Sequence, residues 1–336
     1  MTAGRQYLIK NDNIIPIDYE STGVIELSTK WSDGLHQFLE MKHGLKISPL
    51  SIITNFMSNQ AFFERYQNNI FGLSGTLGDH QENEFLQDTY GLSCMKIPPF
   101  RRKQFQEEAG ILCESKEVWI STIVEAVKQY TESGRTVLVI CEDINTVEQL
   151  SEYMKTNKLN NIIEYTRNDE VNRDMAKKEF GKDDIIVATN IAGRGTDICV
   201  NESVVKAGGL FVVVTFLPSN VRVEKQVFGR SARKGQPGSA CLILNKSDLN
   251  EDFVKHNSVD QIKEIRNNIE RERIKEIQKT LKETVKVKEN LFQKYCTFLE
   301  NHKFDGDKNS KSKLKLESLH EFWGFWLKEE YQFSKQ

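Results

Sequence analysis

The feature that most constrains this fold is a set of short, nearly continuous apolar runs rich in Val and Ile. They lie at Thr136–Cys141, Ile185–Ala188, Leu210–Phe216 and Ala240–Leu244, with a weaker run at Asn161–Tyr165. Strands that are buried on both faces of a parallel sheet have this composition, because neither face meets solvent. The runs therefore predict the strands of a parallel sheet.

Segments with helical spacing of apolar residues separate these runs. They lie at Val118–Tyr130, Val147–Met154, Val171–Phe180 and Val223–Arg233. Alternating strands and helices imply right-handed crossovers between parallel strands. The predicted fold class is α/β, with a parallel sheet domain followed by an α-helical carboxyl-terminal tail.

The tail is distinguished by its charge density, which rises near residue 246. Charged residues make up 36 of the last 91 positions but only 58 of the first 245, which favours solvated helices after the sheet domain. Residues 258–300 have helical spacing with a phase slip after Ile269, and this predicts a long amphipathic helix packed on a partner or on the chain itself. Residues 305–313 predict a linker, and Leu314–Phe333 predicts a short docked helix rather than a nucleic-acid platform.

The first hundred residues are less regular than the sheet region. Gln6–Ile17 predicts a hairpin around an Asn-Asp-Asn turn, and helices are predicted at Ser32–Lys42 and Gln60–Asn68. The basic triplet Arg101-Arg102-Lys103 and Gly110 predict a connection into the α/β domain. At 336 residues the chain is long enough for about two domains. We expect a first segment at 1–103, the α/β domain at 104–246 and the helical tail at 247–336.

Composition excludes several classes of protein. Lys and Arg number 46 against 48 Asp and Glu, so the net charge of -2 gives no signature of nucleic-acid binding. No apolar run is long enough for a membrane span, and the amino terminus predicts no signal peptide. The six cysteines form no CxxC pair, which favours free thiols in a reducing compartment over a zinc site or a disulfide framework. We therefore expect a cytoplasmic protein.

A glycine-rich loop follows the second apolar run. Residues 185–198 have the sequence IIVATNIAGRGTDI. Ligands of α/β folds bind at the carboxyl ends of parallel strands, where we expect this loop to lie. Gly193 and Gly195 allow close approach of the backbone to a bound group. Asp197 can accept a hydrogen bond from a ribose hydroxyl or hold a neighbouring Arg.

A second motif, QVFGRSARKGQPG, occupies residues 226–238. Arg230 and Arg233 are three residues apart at the end of a predicted helix, so we expect them to share a face. Two guanidinium groups on one face suit phosphate oxygens, because each is a planar, permanently charged fork. A basic helix terminus favoured by the helix dipole is the alternative.

The two motifs resemble motifs V and VI of superfamily 2 helicase-type motors, and ATNIAGRGTDI is similar to the form found in the SecA family. Three further stretches resemble that family in the same order: Trp31–Gln37 with the residues that follow it, Asn59–Thr76, and Thr136–Leu150. The resemblance extends over about residues 5–246. It implies a RecA-like second motor domain and the tail of the first.

The resemblance also implies a function. ATP would lie in a cleft between two RecA-like domains, and this chain would supply one wall. Arg230 and Arg233 would be arginine fingers on the γ-phosphate. The residues implied to line the cleft are Gly193, Arg194, Gly195, Asp197 and Gln226. Hydrolysis would move the attached helices and a polypeptide substrate.

The chain departs from the family pattern at the catalytic half of the motor. No glycine begins the GxxxxGK[ST] pattern of a P-loop, and no apolar strand ends in the Asp-Glu of a Walker B motif. ATP and Mg²⁺ are therefore expected only through a separate amino-terminal motor half or a full-length homologue. Smaller departures are Phe228, where the family has a further Arg, and Ala232, where it has Gly.

Three hypotheses follow. The first is half of a SecA-like protein translocase motor, with a polypeptide substrate, a membrane translocation channel as a further partner and peripheral membrane association. The second is a carboxyl-terminal fragment of a nucleic-acid helicase, which leaves the WSDGLHQ string at 31–37 unexplained; no nucleic-acid partner is expected. The third is an adaptor that keeps the motor fold without catalysis.

Overall fold

The computed structural model of the protein describes residues 1, 3, 6–17, 25–31, 34–49, 56–67, 69–78, 80–165, 178–189, 197–301 and 314–324. The strands are β1 (Tyr7–Lys10), β2 (Asn13–Pro16), β3 (Gln104–Glu107), β4 (Ile111–Cys113), β5 (Val137–Cys141), β6 (Ile162–Tyr165), β7 (Glu179–Phe180), β8 (Ile185–Thr189), β9 (Cys199–Val200), β10 (Leu210–Val214) and β11 (Pro237–Asn245).

The helices are α1 (Leu35–Lys42), α2 (Asn59–Glu64), α3 (His80–Tyr90), α4 (Lys116–Glu132), α5 (Ile144–Thr156), α6 (Glu202–Lys206), α7 (Val221–Phe228), α8 (Glu251–Val254), α9 (Val259–Thr280), α10 (Lys286–Asn301) and α11 (314–324). The chain divides into two compact units. The first comprises Met1–Phe71, Asp88–Leu92 and Lys275–Gln336, and the second comprises Gly72–Gln87 and Ser93–Ile274.

A parallel sheet of seven strands is the centre of the second unit. Its order is β3-β11-β10-β5-β8-β6, and β4 pairs with β11 beyond the end of β3. Every pairing is parallel. Each residue of β5, β8 and β10 is buried, as the apolar runs predicted. The α/β fold class is confirmed.

Alternate residues of the strands face two layers of helices. On one face Val137 and Val139 pack with the apolar sides of α4 and α5. On the other face Leu138 and Ile140 pack with α6, α7 and the first turn of α9. Side-chain caps fix where several of these helices begin: Asp143 accepts a hydrogen bond at the start of α5, and Asn220 accepts one at the start of α7.

Several sequence predictions need correction. The predicted helix at Val171–Phe180 is wrong at its end, where Glu179–Phe180 forms β7; residues 171–177 lie outside the described part. The predicted connection at residues 101–110 contains β3, and β4 follows it directly. Gln104–Glu107 is mostly polar and exposed because β3 lies at the edge of the sheet, and no buried apolar run marks such a strand.

The first unit contains the predicted hairpin. Strands β1 and β2 pair antiparallel, with Lys10 opposite Asn13, and Asn11 and Asp12 adopt positive φ angles at the turn. Tyr7, from β1, packs with Ile14 and with Leu39 of α1. The hairpin and the helix therefore share one small core.

The long helix predicted for residues 258–300 is confirmed, with one irregularity. A π-helical turn at Leu281–Val285 joins α9 to α10, whereas the apolar pattern placed the phase slip after Ile269. Trp323 of α11 stacks on Tyr295 of α10, with ring centroids 4.4 Å apart, so this helix docks through its aromatic face. The predicted linker at 305–313 lies outside the described residues. Within the described ranges, no helix has the length and apolarity needed to cross a bilayer.

Candidate functional site

The glycine-rich loop begins where the buried strand β8 ends. Residues 190–196 lie outside the described part of the chain, and they include Gly193, Arg194 and Gly195. The description resumes at Asp197, two residues before β9, which pairs with β7. Because β7 directly precedes β8, Asp197 lies toward the amino-terminal edge of the sheet. The expectation that the whole motif lies at the carboxyl edge is wrong for Asp197, because the chain returns to pair beside β7.

Asp197 is held by two cations from the second motif. Its Oδ1 accepts a hydrogen bond from Arg233 Nη1 at 2.9 Å, and its Oδ2 accepts one from Lys234 Nζ at 2.7 Å. The hydrogen bond from Lys234 lowers the pKa of the Asp197 carboxyl. Partial burial raises this pKa, but the contact with Arg233 lowers it further, so the pKa stays below its ordinary value. The carboxylate therefore stays ionised and keeps both cations at one place. The sequence left two partners open for Asp197, a ribose hydroxyl or a neighbouring Arg, and in the structure Asp197 holds Arg233.

The sequence predicted that Arg230 and Arg233 share one face of a helix, and this prediction is wrong. Helix α7 ends at Phe228, and the segment that we call the arginine loop, residues 229–236, continues as turns. Ala232 and Lys234 have φ angles of 53° and 54°, which a continuing α-helix excludes. The predicted helix Val223–Arg233 is therefore five residues too long at its carboxyl end.

The two arginines differ in exposure. Arg230 is buried, whereas Arg233 is half-buried. Arg233 also donates from Nε to the carbonyl oxygen of Gly229 at 2.9 Å, which orients its guanidinium group. Arg233 is thus the arginine whose terminal nitrogens a ligand can reach without rearrangement of the core.

Gln226 contacts a residue that the sequence motifs did not pair with it. Its Nε2 donates to Thr76 Oγ1 at 3.2 Å, and Arg222 Nε donates to the Thr76 carbonyl oxygen at 3.4 Å. The Ser74 hydroxyl in turn accepts a hydrogen bond from the Thr76 amide at 3.1 Å. Helix α7 is therefore joined to the Ser-Gly-Thr turn at residues 74–76, which ends the stretch Asn59–Thr76 that resembles the family.

Sequence reasoning missed Lys234 and Arg222 as members of the site. Lys234 adjoins Arg233, and the positive φ angles on each side of Arg233 bring both cations to Asp197. The visible signal was the run of basic residues followed by Gly235. Arg101 also approaches Lys234, since its Nη1 donates to the Lys234 carbonyl oxygen at 3.3 Å.

Comparison with known proteins explains why these motifs occur together. A family model described as the SecA P-loop domain matches residues 102–203. The protein translocase subunit SecA of Halothermothrix orenii is 31% identical over 248 residues, which cover 74% of this chain. The chain is a SecA-type sequence. SecA of Desulfovibrio desulfuricans is 32% identical over 257 residues, and SecA of Thermotoga neapolitana is 31% identical over 242.

The SecA relatives are much longer than the aligned region. The matched regions cover 29%, 29% and 27% of those three proteins. The chain therefore spans less than a third of the length of the curated SecA relatives that it matches.

Among solved structures, weaker similarities are to helicase domains. The E. coli DEAD-box protein SrmB, solved with the regulator RraA, is 20% identical, covers 48% of this chain and 95% of its own, and has a TM-score of 0.36. The second DEAD-box domain of Mss116p, solved with an RNA duplex, is 20% identical, covers 42% and 54%, and has a TM-score of 0.33. Both scores are below 0.5, so the fold assignment rests on the sheet topology described above.

Proposed function

We propose that this chain supplies one wall of an interdomain ATP cleft in a SecA-type motor and couples hydrolysis to movement of a polypeptide. The observation that carries the proposal is the cluster in which Asp197 holds Arg233 and Lys234 at one place. A guanidinium group that is already oriented and partly exposed can exchange its carboxylate for phosphate oxygens with little reorganisation. Arg230, Gly193, Arg194, Gly195 and Gln226 belong to the same proposed wall.

The residues present fit the phosphate end of ATP. Arg233 and Lys234 supply two cations, and Arg233 offers a planar fork that matches phosphate geometry. ATP, when bound, supplies the phosphoryl group whose transfer releases energy. Arg233 would stabilise the negative charge that develops on it, and Arg230, which is buried, would join it only after a rearrangement of the arginine loop.

Mg²⁺ fits this wall less well than phosphate does. In the described part of the chain, no group of three His, Cys, Asp or Glu side chains is placed to hold a metal ion. The sequence also has no P-loop lysine and no Walker B acid. The proposal therefore assigns Mg²⁺ to an amino-terminal motor half that carries those residues.

Gln226 and Thr76 are the proposed route from nucleotide to movement. Their hydrogen bond joins helix α7, which precedes the arginine loop, to the turn at residues 74–76. A change in what Arg233 contacts would change the position of α7 and so strain this bond. The polypeptide substrate, the translocation channel and a cytoplasmic or peripheral membrane location are proposed from the SecA relatives as a group.

The test is substitution of the arginines in an assembled motor. The purified chain is combined with the amino-terminal, P-loop-bearing part of a SecA relative, and steady-state ATP turnover is measured. Arg233→Ala and Arg230→Ala should each lower kcat by roughly 10³-fold, the scale of other arginine fingers. Arg233→Lys should restore little, since an ammonium group cannot form the bidentate fork.

Lys225→Ala is the matched control for these variants. Lys225 is an exposed cation on helix α7. Arg222, although it lies outside the motif, is unsuitable because it contacts Thr76. If the two arginine variants keep kcat within about a factor of two of this control, the wall has no catalytic role and the adaptor hypothesis replaces it.

A further inference from the structure

A polar contact surface joins helix α9 to helix α7, and we call it the α7–α9 seam. Lys263, Arg266 and Glu270 contribute to it from α9 at spacings of three and four residues, so they lie on one face of that helix. Glu224 contributes from the first turn of α7, and Asn220 contributes as the amino-terminal cap of that helix. All five residues belong to the second compact unit.

Glu224 is the centre of the seam. Its Oε1 accepts a hydrogen bond from Lys263 Nζ at 3.1 Å, and its Oε2 accepts one from Arg266 Nη1. Arg266 is 3% exposed and also donates to the carbonyl oxygen of Pro218, just before α7. Two buried charges, Glu224 and Arg266, and the half-buried Lys263 contribute little net stability compared with apolar packing, but each charge has few positions in which its hydrogen bonds are all made. These three charges therefore fix the position of helix α7 against helix α9.

Lys263 extends the seam to strand β3 and to the carboxyl end of helix α7. It binds Glu107 of β3 in addition to Glu224, and its ammonium group lies 5.5 Å from the ring centre of Phe228, the last residue of α7. Burial lowers the pKa of Lys263, but the two carboxylates outweigh burial and leave the pKa raised. Lys263 therefore remains charged and contacts α7 at its middle and at its end.

The amino-terminal cap of α7 is tied to the same face of α9. Asn220 accepts a hydrogen bond from the Val223 amide at 3.0 Å, and its Nδ2 donates to Glu270 Oε1 at 3.3 Å. Glu270 is itself held by Arg273. Helix α7 has only eight residues and is attached at its cap, its middle and its end, so it has little freedom to move independently of α9.

We propose that Glu224 is a positioning residue for the arginine loop, through which a displacement of helix α9 moves Arg230 and Arg233. The loop begins directly after α7, and its first turns are bonded back to that helix: the Arg230 and Ser231 amides donate to the carbonyl oxygens of Val227 and Phe228. The mechanical connection is independent of nucleotide. Its meaning for turnover rests on the proposed function above.

The test is hydrogen exchange by mass spectrometry on the purified full chain, without nucleotide. Glu224→Gln keeps the shape of the side chain and removes its charge. It should speed amide exchange in residues 229–236 about tenfold or more, the factor that corresponds to losing one charge-assisted hydrogen bond. Exchange in β5 and β8 should stay within twofold of wild type. The control is Glu264→Gln, the same substitution at an exposed position of α9, and it should leave the loop unchanged.

A double variant tests whether Glu224 positions the arginine loop through Arg266 or whether each substitution destabilises the fold independently. Glu224→Gln combined with Arg266→Gln should speed loop exchange by less than the product of the two single effects, because both variants remove the contact between Glu224 and Arg266. If Arg266→Gln does not fold, Lys263→Gln takes its place in the same cycle. If Glu224→Gln does not fold, Lys263→Gln and Glu270→Gln are measured singly and should speed loop exchange selectively.

Three results would overturn the proposal: unchanged exchange in the loop, equal acceleration in β5 and β8, or additive effects in the double variant. None of them bears on whether Arg233 contacts phosphate, since the assay contains no nucleotide. Loss of the Arg233→Ala effect on turnover would leave the seam intact and remove the proposed function instead.

Discussion

At the scale of single residues, the site depends on one carboxylate that orients two cations. Asp197 is 40% exposed, so its pairs with Arg233 and Lys234 stabilise the fold only modestly, as other solvent-exposed ion pairs do. Their consequence is geometric, because they hold the arginine loop against β9. Arg230 differs, since its burial makes it part of the local core.

Asp197→Asn tests this arrangement through pH. The pKa of Asp197 is lowered in the folded chain, so its contribution is present above the ordinary carboxyl range near 4 and is lost as pH falls through the folded value. In urea unfolding, the variant should be less stable than wild type by at most about 1 kcal/mol at pH 7. The difference should shrink only below about pH 4.

Glu148→Gln is the control for the pH experiment. Glu148 is an exposed carboxylate on helix α5, and the described part of the chain offers it no ion pair. This variant should follow wild type at each pH. A stability difference for Asp197→Asn that is absent at pH 7, or that persists unchanged in acid, would show that the carboxylate does not hold the loop.

At the scale of secondary structure, the sequence predicted buried elements well and edges poorly. Strands β5, β8 and β10 were found because neither of their faces meets solvent, so their composition is uniform. Strand β3 was missed because edge position leaves it polar. The end of α7 was missed because Arg230 and Arg233 continue a helical spacing, and only backbone φ angles at Ala232 and Lys234 reveal the turn.

The close approach of β10 and β11 gives a prediction at this scale. Gly209, just before β10, has a φ of 76°, and a Cβ there would lie 1.9 Å from the carbonyl oxygen of Pro237. Gly209→Ala should therefore lower the free energy of unfolding by roughly 2–4 kcal/mol, measured by chemical denaturation. Gly72→Ala, where a Cβ would meet no atom within 4 Å, should change it little. Equal stability of the two variants would contradict the pairing at this end of the sheet.

For the whole molecule, the sequence alone was enough to predict the family but not the full set of residues at the site. Relation to SecA was predictable because motifs V and VI are long, specific strings that occur in the family's order. The site was only partly predictable, since Lys234 and Thr76 lie within recognised stretches, but their contacts with Asp197 and Gln226 depend on backbone turns that the sequence does not reveal. The missing P-loop pattern leaves the chain with one proposed wall of a two-walled cleft.

One wall alone should bind nucleotide weakly. Most phosphate contacts and most exclusion of water would come from the other half of the cleft. Titration calorimetry of the purified chain with Mg-ATP should give no dissociation constant below roughly 1 mM, which corresponds to about 4 kcal/mol. A micromolar dissociation constant would place a complete nucleotide site on this chain.

The most direct test of the central claim is ATP turnover by the chain with and without a P-loop-bearing partner. The partner is the amino-terminal part of Halothermothrix orenii SecA, and phosphate release is measured for each component and for the mixture. If the chain supplies one wall of the cleft, it releases no phosphate above a heat-denatured control. The mixture then turns over ATP faster than the sum of its components, and Arg233→Ala abolishes this excess. Turnover by the chain alone, or a mixture no faster than its components, would contradict this claim.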